Sequence, residues 1–82
     1  AVNDTLGWVY YKKDLASLAI PAFRASVDRE PANPQFQFHL GMAYLKAGDK
    51  DGARKALAQA LKLKPDFEGA DDARKALQSV GG

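Results

Sequence analysis

The chain has 82 residues, 46% apolar and 27% charged, with a net charge of +2; this bounds it to one small globular domain whose core is near the lower limit of self-sufficiency. With no cysteine, disulfides and thiolate-metal sites are excluded. No apolar run reaches the roughly 18 residues of a membrane span, no signal-peptide pattern is present, and so small a positive excess does not by itself imply a polyanionic partner.

The first predicted helix runs from about Val2 to Lys12, with Val2, Leu6, Val9 and Tyr10 as its inner face. Asp14 stands in the following loop, where its short polar side chain tolerates the left-handed backbone region at modest cost. A second helix carries Ala19, Phe23, Ser26 and Val27 and ends before Pro31. Pro21 would break a helix interior. The pattern therefore places the N-cap at Ser17 and Pro21 near the first turn, giving a kinked or late-starting helix.

From Pro34 the same punctuation returns. Leu6 and Leu40, Gly7 and Gly41, Tyr10 and Tyr44, Lys12 and Lys46, Ala19 and Ala53, and Pro31 and Pro65 are each 34 residues apart. A fixed period of this length marks stacked helix–turn–helix units. In the second unit, Phe36, Leu40, Ala43, Tyr44 and Ala47 follow the spacing of one helix face, and Pro34 suits the first turn. Gly48 ends that helix in the left-handed region, and Asp49 caps the next. Ala53, Ala56, Leu57, Ala60 and Leu61 form its stripe, and Pro65 closes it. Gly41 sacrifices about 1 kcal/mol of helix propensity relative to alanine. That cost is explained if a neighbouring helix passes close by, with Ala53 and Ala60 opposite and Tyr44 and Leu57 on either side.

One more helix follows, from about Asp66 or Glu68 to Val80. Phe67, Ala70, Ala73, Ala76, Leu77 and Val80 lie on its inner side, and Gly81-Gly82 stop it. Acidic residues lead and basic ones follow, which suits the helix dipole, and a polar outer face suits a terminal cap. The expected architecture is all-α: a solenoid of two antiparallel helix–turn–helix hairpins plus a capping helix. The whole forms a single domain, with repeats at about 1–33 and 34–67 and a cap at about 68–80.

These residues resemble the tetratricopeptide-repeat (TPR) family. The matching positions are Leu40, Gly41, Tyr44, Ala53, Leu57, Ala60 and Pro65 in the second copy. In the first they are Leu6, Gly7, Tyr10, Ala19, Phe23 and Pro31, with Ser26 where alanine is usual. The family's early tryptophan is absent, since Asn3 and Gln37 stand in its place; Val2 and Phe36 are the neighbours that could substitute. The Asp4-Thr5-Leu6-Gly7-Trp8 opening and alanine-rich helices also look like the last repeats of bacterial arrays, some linked to envelope or exopolysaccharide assembly. A chain that begins inside a helix without a polar cap fits such an excised end of an array.

The resemblance implies a peptide-binding surface on the first helix of each hairpin. Carried over, it comprises Asp4, Thr5, Trp8, Tyr11 and Lys12, with Phe38, His39, Met42, Leu45 and Lys46 from the second copy. Asp72 and Ala76 extend it on the cap. The carboxylate clamp of the family's chaperone-tail binders is absent, because Asp4, Phe38, Trp8 and Met42 occupy its places. An aromatic and thioether groove rimmed by Lys12 and Lys46 instead suits an apolar helix or extended segment. Against this stands simple packing of the same side chains on the cap or on a neighbouring repeat.

Other constellations are weaker. His39, the single histidine, has no carboxylate or hydroxyl at a catalytic spacing and no companion ligands. Asp49-Lys50-Asp51-Gly52 lacks the further acidic ligands of a calcium loop. Arg54, Lys55, Lys62 and Lys64 alternate with alanine and leucine, which fits a solvated face better than a nucleic-acid surface. The expected function is a non-enzymatic interaction module, part of a larger scaffold, with no cofactor or metal and no nucleic acid. Its partner is a protein or peptide with an apolar segment, a neighbouring repeat or a second copy. The alternatives are nucleic-acid binding through the basic helix 54–64, or service as the regulatory domain of a larger enzyme. The compartment stays open.

Overall fold

The computed structural model describes the backbone of residues 2–81 and the side chains of residues 6–81. Five helices follow in order: α1 (Val2–Lys12), α2 (Ala16–Arg29), α3 (Pro34–Ala47), α4 (Lys50–Leu63) and α5 (Ala70–Ser79). No strand occurs among the described residues. Two hairpins, α1–α2 and α3–α4, stack through α2 against α3, and α5 closes the end on α4. This is the all-α solenoid that the 34-residue period predicts.

Local chemistry ends each helix. Asp14 adopts a φ of 61° and turns the chain between α1 and α2. Gly48, at φ 87°, does the same after α3, and the Asp49 carboxylate caps α4 by accepting from the Gly52 N–H at 2.9 Å. The Asn33 side chain caps α3, accepting from the N–H groups of Gln35 and Phe36 with Pro34 at the first helical position. The Asn33-Pro34 pair is a helix-start signal written in the sequence itself.

Packing follows from small residues opposite large ones. Ala19, Phe23, Leu40, Ala43 and Ala56 form one buried cluster between the hairpins. Ala53, Leu57, Ala60, Phe67, Ala70, Ala73 and Ala76 form a second beneath α5. A β-carbon on Gly41 would lie 2.7 Å from Leu57 Cγ and 3.2 Å from its backbone nitrogen. The atoms nearest to such a β-carbon all belong to Leu57. Gly7 plays the same part in the first hairpin, where the Phe23 ring would meet an added β-carbon at 2.6 Å.

Four expectations need correction. Leu6 and Val9 are not on the inner face: they are 42% and 45% exposed. The first helix turns Gly7 toward α2, because only a residue without a side chain lets the Phe23 ring approach. Val2 lies outside the residues whose side chains are described. Second, α2 begins at Ala16 with Leu15 before it and no side-chain cap, so Ser17 is already helical and Pro21 sits six residues inside. Pro21 is exposed, so its ring takes no space in the core, and the helix continues past it with one backbone donor missing. Third, α5 starts only at Ala70, after a turn ending in Gly69 at φ 105°. The Phe38 ring lies against Gly69, 2.8 Å from where a β-carbon would stand. Fourth, Ala76 is 8% exposed and belongs to the core, not to an open surface.

Candidate functional site

α1 and α3 lie side by side on one side of the stack, and their side chains form a continuous strip of rings. Trp8 stacks with both Tyr11 (centroids 5.0 Å, interplanar 18°) and His39 (4.7 Å, 22°). Behind them Phe23 meets Trp8 edge-on at 6.2 Å and His39 at 5.5 Å. The strip continues from His39 to Phe38 at 5.9 Å, and from Phe38 to Phe67 at 5.4 Å. The i, i+3 spacing of Trp8 and Tyr11 puts them on one face of α1. His39 reaches Trp8 because the α2–α3 packing brings the second hairpin's first helix beside α1.

Trp8, Tyr11, Phe38, His39, Met42 and Leu45 are all half-buried. Packing accounts for part of each. Trp8 and Tyr11 rest on the inter-hairpin cluster, while Phe38, Met42 and Leu45 rest on the cluster beneath the cap. Each ring thus keeps part of its surface open while the rest packs on the stack. Lys12 is exposed in the last turn of α1, and Asp72 is exposed on α5. Asp4 and Thr5 lie within α1 but outside the residues whose side chains are described.

Lys46 closes the strip. Its ammonium pairs with the Asp14 carboxylate at 2.6 Å, donates to the Tyr11 carbonyl at 3.3 Å and sits 4.4 Å from the centre of the Tyr11 ring. The hydrogen bond to Asp14 holds its pKa above the ordinary lysine value, against the opposing effect of desolvation and with the charges of Asp14 and Tyr11 adding to the rise. Lys46 therefore ties α3 to the α1–α2 turn. Sequence reasoning placed it on the rim of the groove and had no signal for this pairing, because Asp14 and Lys46 are joined only by the stacking of hairpins. The basic helix is changed in the same way. Arg54 donates to Asp51 and to the Val80 carbonyl, which anchors α4 to the end of α5.

A family model for the tetratricopeptide repeat matches residues 5–66. The chain belongs to the tetratricopeptide-repeat family. No curated relative matches it. TPR domains are in general non-catalytic and mediate protein–protein interactions. In this TPR chain no helix among the described residues is long and apolar enough to cross a membrane.

Proposed function

We propose that the chain is a non-enzymatic module that binds an apolar protein or peptide segment along the α1–α3 face, within a larger scaffold. The observation that carries this reading is the continuous, half-buried strip Tyr11–Trp8–His39–Phe38. Rigid rings whose backs are locked by a core offer apolar contact area at little further loss of rotamer freedom, the physical character of a binding hot spot. The Trp8 and Tyr10 side chains diverge by about 200° around α1, and both pack in part on the inter-hairpin cluster. With Lys46 tied to Asp14, the exposed Lys12 is the cation left to meet an acidic flank of the segment. Engagement of Arg54 by Asp51 and Val80 weakens the case for a nucleic-acid surface on α4.

The test is selection from a displayed random-peptide library on the intact chain, with Trp8 emission as the reporter. Selected peptides should be rich in apolar residues and should shift the emission to the blue. His39→Glu, on the same strip, should cut their affinity at least about tenfold without unfolding the chain, since a charge there would have to be desolvated. Peptides that bind equally well to this variant, or that leave Trp8 unmoved, would place the working surface elsewhere.

A further inference from the structure

The two ends of the ring strip are held in different ways. Toward α5, apolar contact suffices: the Phe38 ring meets the buried Phe67 edge-on at 5.4 Å and lies against Gly69. At the other end Tyr11 stands half-buried in the last turn of α1, and there a charge takes over. The Lys46 ammonium reaches across from α3 to the Asp14 carboxylate, the Tyr11 carbonyl and the Tyr11 ring. All three contacts fall within residues 11–14.

The Tyr11 carbonyl also accepts from the Asp14 N–H at 3.1 Å. Turn and ammonium thus share one acceptor at the C-terminal end of α1, where a cation is favourable. Asp14 both makes the turn, at φ 61°, and supplies the counter-charge that keeps the ammonium in place. Tyr11 passes the constraint on, because its ring stacks with Trp8 at 5.0 Å and 18°. Water reaches the pair: the Lys46 side chain is 33% exposed and that of Asp14 79%. Dissolved salt therefore screens it.

We propose that Asp14 is a positioning residue of the α1–α3 face: through Lys46 it fixes the Tyr11 ring, and with it Trp8, in the arrangement that an apolar segment meets. Given the binding function proposed above, on which this rests, engagement weakens as ionic strength rises even for a segment that carries no charge. Phe23 and His39 hold Trp8 independently of the pair, so the effect is graded. Loss of an exposed pair of this kind should lower affinity by about two- to fivefold and not abolish it.

The test uses the full 82-residue chain, whose single tryptophan is Trp8. Without any ligand, time-resolved anisotropy reads the local motion of its indole. Asp14→Asn keeps a residue suited to positive φ, and Lys46→Met keeps the apolar stem. Each should raise the mobile fraction by about two- to fivefold while the helical circular dichroism stays native. Lys46→Arg keeps the charge and should leave the motion as it is. The second arm measures binding of an end-capped peptide from the displayed library, free of ionisable residues, at about 20 mM and about 1 M sodium chloride. The native chain should lose about two- to fivefold in affinity across that range. Asp14→Asn should start weaker and then hold constant, because an uncharged probe has no Coulomb attraction of its own to screen. Unchanged indole motion in both variants would overturn the proposal, as would equal salt responses in the native chain and Asp14→Asn. If no library peptide engages Trp8, the binding function fails instead, and the anisotropy alone decides whether the pair positions the rings.

Discussion

Gly41 tests the close crossing of α3 and α4 most directly. An added β-carbon would stand 2.7 Å from Leu57 Cγ, 2.8 Å from Cδ2 and 3.2 Å from the Leu57 backbone nitrogen. Leu57 is fully buried, so its side chain has no solvent-side space into which to swing. Gly41→Ala gains about 1 kcal/mol of helix propensity and loses about 1–3 kcal/mol to overpacking. The net expectation is a loss of up to about 2 kcal/mol. Gly41→Leu places further carbons in volume that Leu57 already fills, so its loss is larger. A domain of this size has roughly 4–12 kcal/mol of stability in all, and each kcal/mol moves the midpoint by about 4–8 °C. Thermal and urea melts followed by circular dichroism read these shifts, with Lys55→Leu on the exposed face of α4 as a near-neutral control. In a Leu57→Ala background the β-carbon finds room, and Gly41→Ala should there become neutral or stabilising by its helix propensity. An equal cost in both backgrounds would refute the contact as the cause.

Ser26 is fully buried and its hydroxyl has no hydrogen-bond partner among the described residues, so Ser26→Ala should stabilise by about 1–2 kcal/mol; a lower melting temperature would show that the hydroxyl is satisfied. Pro21→Ala restores the missing donor inside α2 and should add about 1–3 kcal/mol, measured by urea denaturation, with no gain if the proline's restriction of the unfolded chain offsets it. Because Asp14 raises the Lys46 pKa, the stabilisation from this pair is fully present below the ordinary lysine value of 10.5 and is lost as pH rises through the raised folded value. Asp14→Asn keeps a residue suited to positive φ, so its melting deficit should be constant near neutrality and vanish in strong alkali. A deficit unchanged across that range would assign the effect to the turn and not to the charge pair.

The period and its punctuation were legible because they express local physics. Gly48 and Asp14 reach positive φ where the sequence has residues that tolerate it, and Asp49 caps α4 because a carboxylate there satisfies an otherwise unpaired N–H. The alanine stripes of α4 and α5 predicted the side that each helix buries. Helical spacing groups residues into faces, but it does not say which neighbour each face meets. Leu6 and Val9 share a face with Tyr10 by hydropathy, yet Gly7 and the Phe23 ring decide the approach of α1 to α2 and leave that face open. Trp8, which helical spacing places off the inner stripe, is half-claimed by Phe23 and His39. Lys46 is drawn to Asp14 across 32 residues of chain. The Gly7–Phe23 and Trp8–Phe23 contacts form only when the first hairpin closes, and the Trp8–His39 and Lys46–Asp14 contacts only when one hairpin stacks on the next.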